Sequence, residues 1–164
     1  MSKQVVFSLG GNVGNVSQTF LKAINSLEKK VGKLIKSSTI YTTKAWGIEN
    51  QPDFINQIVI FKTQLLPHEV LIKCLQIEKE LGRKRIDGEK WQQRVIDIDI
   101  LFYESEIINF NNLIIPHPYL HQRNFVLFPL AELMPEFIHP LLRKTIAELK
   151  KGCQDNLKVI KLLA

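Results

Sequence analysis

Two carboxylates, Asp97 and Asp99, stand two residues apart in Ile96-Asp97-Ile98-Asp99-Ile100-Leu101-Phe102. Side chains of a strand alternate sides, so a strand here puts both acids on one face and Ile96, Ile98, Ile100 and Phe102 on the other. Like charges this close repel, and burial worsens the repulsion. A cation between them relieves it. Mg²⁺ is held by one or two carboxylates and completes its shell with water and phosphate oxygens. Aspartate is also depleted in strands, so two in one strand need a reason. The pattern reads as a platform for metal and phosphate.

Cations cluster beside it. From Arg83 to Arg94 there are five basic residues (Arg83, Lys84, Arg85, Lys90, Arg94) against two acidic ones, Asp87 and Glu89. Arg83 follows the helix stop at Gly82, and Arg94 immediately precedes the acidic strand, so both are anchored. Arginine binds phosphate oxygens bidentately and stays charged at any working pH. Lys84, Arg85 and Lys90 lie mid-loop and read as solvated charge. Trp91 is unusual in so polar a loop; it either anchors the loop or serves as a lid that stacks on a ligand and excludes water. His117 sits between Pro116 and Pro118, which narrow its backbone and aim its side chain. A lone histidine is nonetheless as often structural as functional. Arg123 is a further candidate phosphate clamp. Phe54 and Asn56 share a strand face, where a ring and an amide could stack on and hydrogen-bond a flat heterocycle. Gly10-Gly11-Asn12 is neither a Walker A loop nor a dinucleotide fingerprint, and it is expected to be a tight turn from strand to helix.

The surrounding pattern supplies the elements that must hold these groups. Val5–Leu9 reads as a buried strand. Phe20, Ile24, Leu27 and Val31 recur at helical spacing after the candidate caps Asn15 and Ser17, and Gly32 is expected to close that helix. The stretch from Leu34 to Thr43 is rich in β-branched residues and reads as one strand; Phe54 to Thr63 reads as the next. Pro67 opens a second helix whose stripe is Val70, Leu71, Cys74, Ile77 and Leu81. The acidic strand follows, with a short return strand at Ile107-Ile108. Leu113 to Pro118 is extended. Asn124 to Leu133 and Thr145 to Lys151 read as helices, although Pro129 is expected to be tolerable only near a helix start. The order β-α-β-β-α-β is the ferredoxin-like arrangement: an α+β fold with an antiparallel sheet, its helices on one face, and here a C-terminal helical extension. Both acids should then occupy the open face.

At 164 residues the chain suits one domain, spanning 1–164. Its 45% hydrophobic and 23% charged residues are ordinary for a globular protein. No apolar stretch is long enough for a membrane span, and Met1–Val5 lacks the features of a signal peptide, so a cytoplasmic protein without membrane contact is expected. Cys74 and Cys153 form neither a disulfide framework nor a zinc pattern. The net charge of +6 favours a polyanionic partner. Because the cations cluster beside acids, that partner is expected to be a phosphate-rich small molecule rather than nucleic acid.

Taken in order, Ser8-Leu9-Gly10-Gly11-Asn12, Tyr41-Thr42-Thr43, Gln51-Pro52-Asp53-Phe54-Ile55-Asn56, Glu78 with Leu81-Gly82-Arg83, Trp91-Gln92-Gln93-Arg94 with Asp97-Ile98-Asp99, and Pro116-His117-Pro118 with Arg123-Asn124-Phe125 resemble the 6-hydroxymethyl-7,8-dihydropterin pyrophosphokinases of folate biosynthesis. The resemblance covers nearly the whole chain. It implies transfer of pyrophosphate from ATP to the hydroxymethyl dihydropterin, releasing AMP. It implies two Mg²⁺ ions on Asp97 and Asp99, with Arg83 and Arg94 acting beside them in catalysis. ATP would be held by Leu71, Glu78, Arg83, Arg85, Trp91, Arg94, Ile100, Ile114, His117 and Arg123, with Leu71, Ile100 and Ile114 around the adenine. The pterin would lie between the rings of Phe54 and Phe125. Asn56, the main chain of Thr43, Lys44 and Trp46, and also Trp91 and Asp97, would read or enclose it. Trp91 and Arg85 would belong to a closing loop. A monomer is expected. Departures from the family pattern are Phe54, where tyrosine is frequent, a loop before Trp91 one residue longer than in some relatives, and Lys44-Ala45-Trp46 in place of a segment that is often proline-rich.

Three rival readings compete. A two-metal nucleotidyl transferase also sets paired aspartates on a ferredoxin-like core, but this chain has no room for a template-binding subdomain. A regulatory nucleotide-binding domain needs no metal pair and no cationic lid. A nucleic-acid-binding module predicts a continuous basic face and steep salt dependence.

Overall fold

A run buried at every position needs cover on both sides, and β1 (Lys3–Gly11) holds such a run, with Val5 to Leu9 all buried. It forms the middle of an antiparallel sheet between β4 (Phe54–Thr63) and β5 (Asp97–Tyr103). The computed structural model describes residues 1–44, 51–84 and 93–162. Among them the order is β1, α1 (Val16–Lys30), β2 (Gly32–Ser37), β3 (Tyr41–Thr43), β4, α2 (Pro67–Glu80), β5, β6 (Ile108–Phe110), β7 (Leu113–Ile115), α3 (Asn124–Leu133), α4 (Ile146–Gly152) and β8 (Val159–Lys161). The sheet runs β5-β1-β4-β3-β8, with β2 also on β4; β6 and β7 form a separate hairpin. This is the expected ferredoxin-like α+β arrangement.

The core helices lie on one face. Phe20, Ala23 and Leu27 of α1 and Val70, Cys74 and Ile77 of α2 pack with Phe7, Leu9, Val59 and Phe61 of the sheet. Asn15 caps α1, its side chain accepting from the Gln18 amide at 3.1 Å. Pro67 opens α2, where its missing N–H costs nothing. Gly82 then turns the chain at φ +100°, a conformation that L side chains rarely adopt. The C-terminal helices cover part of the other face, where Val126, Leu127 and Leu130 of α3 and Ile146 and Leu149 of α4 meet Val6, Ile58, Ile60 and Phe102.

Several local expectations give way to tertiary structure. Gly10 and Gly11 do not turn; they continue β1 to its end. Gly32 does not close α1, which Val31 ends through its amide on the Leu27 carbonyl at 2.8 Å. Gly32 instead starts β2, against the Lys62 backbone, too near to admit a Cβ. The single strand expected over 34–43 is two, parted where the Ser38 amide bonds the Ile58 carbonyl at 2.8 Å and the Ser38 hydroxyl accepts from the Ile58 amide at 2.9 Å. Phe102 does not share the face of Ile96, Ile98 and Ile100. The register shifts between Val6 and Phe7, leaving Leu101 as an extra residue and sending Leu101 and Phe102 together toward α3. Pro129 is the sixth of ten residues in α3, well past the first turn. Strand β8 is legible only from its pairing with β3, since Val159–Lys161 is too short to announce itself.

Candidate active site

The sheet's second face changes character along its length. Under α3 and α4 it is apolar; beyond them, Gly10 of β1 stands in register with Asn56 of β4 on one side and Asp97 of β5 on the other. Asp99 stands opposite Ser8. Asp97 and Asn56 therefore share one face across Gly10, which puts no side chain between them, with Asp99 beside Ser8 on the same face. A Cβ on Gly10 would lie 3.0 Å from Asn56 Oδ1, and one on Gly11 would lie 2.7 Å from the Val95 carbonyl oxygen. The glycines are there for close approach, which explains their persistence into the strand.

Asp97 is held by two arginines. Arg83 pairs with Asp97 Oδ1 and also with Glu78, and Arg94 Nη1 lies 2.6 Å from Asp97 Oδ2. Solvent reaches Asp99. The surrounding protein still crowds its carboxyl and pushes it up to about 6, and the Asp97 charge adds to the rise; Arg123, Arg83 and Arg94 oppose it. The donors converging here are hard carboxylate oxygens, which suits Mg²⁺. Among the described residues no group of three or more His, Cys, Asp or Glu could hold a metal alone. Substrate phosphates completing the shell fit that donor count.

Asn12, which sequence reasoning reduced to part of a turn, is a joint of the site. Its Oδ1 accepts from the Arg94 amide at 2.8 Å, its own amide donates to the Arg94 carbonyl at 2.9 Å, and its Nδ2 donates to Gln51 Oε1 at 3.3 Å and the Pro52 carbonyl at 3.2 Å. It is 3% exposed, so these bonds are not traded for water. The end of β1 thereby ties Arg94, just before the acids, to the segment that leads into Phe54. The signal in the sequence was an asparagine directly after two glycines at the end of an apolar strand.

On the same face Asn56 is buried, and its Nδ2 has no hydrogen-bond partner among the described residues. An unpaired buried amide is costly and invites a ligand acceptor. Thr43 pairs with Phe54 at the adjacent strand end, and Lys44 follows it, exposed. Phe125 lies in the first turn of α3, where the Arg123 guanidinium rests 5.7 Å from its ring centre and 5.3 Å from that of Tyr119. His117 donates its amide to the Leu101 carbonyl at 3.0 Å, and its Nδ1 accepts from the Tyr119 amide at 3.2 Å. Burial, and then Arg123, push the imidazole down to about 4, so it is neutral at ordinary pH.

Leu71 and Ile100 belong to the core on the opposite side of β5, with Ile100 buried, and Ile114 is exposed on β7. Because β5 ends the sheet, acids and apolar groups flank one edge. Trp46, Arg85, Lys90 and Trp91 lie outside the described residues.

Residues 6–135 match the family model described as 7,8-dihydro-6-hydroxymethylpterin-pyrophosphokinase. The chain is 47% identical over 146 residues to the 2-amino-4-hydroxy-6-hydroxymethyldihydropteridine pyrophosphokinase of Aquifex aeolicus, with 89% of each chain covered. It is 37% identical over 158 residues to the enzyme of the same name from Haemophilus influenzae, covering 94% of this chain and 95% of that one. A crystal structure of Plasmodium falciparum HPPK-DHPS with pteroate superposes with a TM-score of 0.75 at 19% identity, covering 92% of this chain and 42% of that longer one.

Proposed function

We infer the activity from one premise: this chain belongs to the 7,8-dihydro-6-hydroxymethylpterin-pyrophosphokinase family. It transfers pyrophosphate from ATP to 6-hydroxymethyl-7,8-dihydropterin, in folate biosynthesis, and releases AMP. The observation that carries the site assignment is the row Asn56–Gly10–Asp97, in which a heterocycle-reading amide and a phosphate-side acid are spaced by one bare strand.

The pterin stacks between Phe54 and Phe125, and Asn56 Nδ2 donates to an acceptor on its edge, with the main chain of Thr43, Lys44 and Trp46 completing that edge. This places the hydroxymethyl group toward Asp97 and Asp99. Arg83 and Arg94, which neutralise Asp97 in the free protein, turn to the triphosphate as its charge arrives. Neutral His117 hydrogen-bonds a phosphate oxygen, and Arg123 faces the same charge from α3. Leu71, Ile100 and Ile114 take the adenine at the β5 edge, and Glu78 keeps Arg83 in place. Arg85 and Trp91, which lie outside the described residues, belong to the same reading as contacts to the substrates. Asp97 and Asp99 would hold Mg²⁺, as two ions, which would supply Lewis acidity at the phosphate oxygens. The pterin hydroxyl attacks the β-phosphorus, its proton passes toward Asp97, and the bond from the β-phosphorus to the bridging oxygen of AMP breaks. Positioning and fixed positive charge do most of the work, as in phosphoryl transfer generally.

The same reading takes the protein as a cytoplasmic monomer of one domain. Supporting it, both apolar clusters share one sheet, and no helix among the described residues is long and apolar enough to cross a membrane. The test is AMP release with ATP and Mg²⁺, with and without the reduced pterin alcohol. AMP that forms only with the alcohol is the expected result; formation indifferent to its omission rejects the assignment.

A further inference from the structure

Helix α3 carries Phe125 in its first turn and follows directly on Arg123, yet it starts without a local cap. Arg123 is extended and its side chain makes no capping bond. The free amide of Asn124 donates instead to Asp155 Oδ2 at 2.9 Å, and Asn124 Nδ2 donates to the Asp155 carbonyl at 2.8 Å. Asp155 Oδ1 accepts from the Leu157 amide at 2.9 Å, so both carboxylate oxygens are engaged and the side chain is aimed. A carboxylate at this position also meets the positive end of the helix dipole.

The segment that follows reaches the other side of the same site. Thr43 pairs with Val159 and Tyr41 with Lys161, and the Leu162 amide donates to the Ile40 carbonyl at 2.8 Å. At the far end of α3, Glu132 accepts from the Thr39 amide and hydroxyl, each at 2.9 Å, and from the Tyr41 hydroxyl at 2.6 Å. One strap thus runs from the start of α3, beside Phe125, to β3, which ends at Thr43. All of it lies beyond residues 6–135, the stretch matched by the family model.

We propose that Asp155 is a positioning residue for the pterin pocket: by capping α3 from outside, it sets where Phe125 stands relative to Asn56 and Thr43. This rests on the reading of Phe125 as a stacking ring. Asp155 touches no substrate; it acts through the Asn124 amide. A cap that served stability alone would change the melting temperature and leave pterin affinity untouched.

The experiment measures pterin binding by titration in the presence of Mg²⁺ and α,β-methylene ATP, alongside thermal melts, well below the melting temperature. For Asp155→Ala the pterin Kd is expected to rise by about fivefold to tenfold, the size of losing one cap's free energy, with the analogue's own Kd moving less. Asp155→Asn keeps an oxygen for the Asn124 amide and should recover most of the affinity. Lys161→Met, in the same strap, should leave pterin binding unchanged. An Asp155→Ala protein with a lowered melting temperature but an unaltered pterin Kd overturns the proposal, as does Asp155→Asn failing to rescue, or Lys161→Met weakening the pterin equally. If Asp155→Ala does not fold, Asn124→Ala removes only the bond to the Asp155 carbonyl and carries the same expectation at smaller size. Phe125→Ala separates the two layers of inference. If it leaves pterin affinity intact, the assignment of Phe125 fails; if it weakens pterin while Asp155→Ala does not, only the positioning role fails.

Discussion

One face of one sheet does two different jobs. Under α3 and α4, Val6, Ile58, Ile60 and Phe102 are buried against Val126, Leu127 and Leu130. Farther along the same strands, Ser8 and Gly10, Asn56, and Asp97 and Asp99 replace them. The β1–β4 ladder runs unbroken through both halves, so between those two strands the difference lies in side chains, while on the β1–β5 pair a bulge marks the boundary. The apolar half contributes stability by leaving water; the polar half carries groups whose interactions a ligand must complete. Among the described residues Asn56 Nδ2 is buried without a hydrogen-bond partner, and the Asp99 carboxyl is pushed up to about 6, both unfavourable in the free protein. Strands shared between halves let the stable end hold the costly end still.

Substitutions can separate the halves. The largest effect is expected for Asp99→Asn, which should lower kcat by about a hundredfold to a thousandfold, the usual consequence of removing one preorganised electrostatic group. Its melting temperature should hold or rise, because the Asp99 charge is disfavoured where it stands. A melting temperature that fell with activity would mean that the polar half also supports the fold. Leu130→Ala, fully buried in the other half, should do the reverse: about 2–5 kcal/mol less stability by denaturant titration, with unchanged KM for both substrates in the folded protein.

Gly11→Ala should blur the distinction. Its Cβ meets backbone at Val95, and backbone cannot swing aside, so about 1–3 kcal/mol of stability should go. Arg94 should shift with it and raise the KM for ATP. Loss of stability without a change in KM would show that the Asn12–Arg94 joint does not transmit the strain. The smallest effect concerns His117. Its folded-state pKa is lowered from 6.5 to about 4, so the unfolded chain binds more protons between those values. Its contribution is present above about pH 6.5 and is lost as the pH falls toward 4. His117→Asn should flatten the slope of stability against pH in that window; an unaltered slope would place the titration elsewhere.

Much of this was legible along the chain because its signals are local. The Pro67 start of α2, the whole of β4 and α3 at its stated limits, and the shared face of Asp97 and Asp99 follow from periodicity and from signals carried by neighbouring residues. The misses share a cause. Gly10 and Gly11 look like a turn because their reason for being glycine is a neighbour across the sheet. Phe102 changes face because β5 bulges against β1. Asn12 gains its importance from Arg94, and Asp155 from Asn124, partners far away in sequence.

The sequence by itself determined the main helices and the long strands of the core, the pairing of two acids on one strand face and the company of arginines beside them, because periods of two and 3.6 and short spacings are properties of neighbouring residues. Only the tertiary structure decided that an amide and an acid flank a bare glycine, that both oxygens of Asp97 are met by arginines, and that the ring-bearing helix is capped from the far end of the chain. Those facts depend on which strands lie side by side and in what register, and register is set by burial summed over the whole sheet.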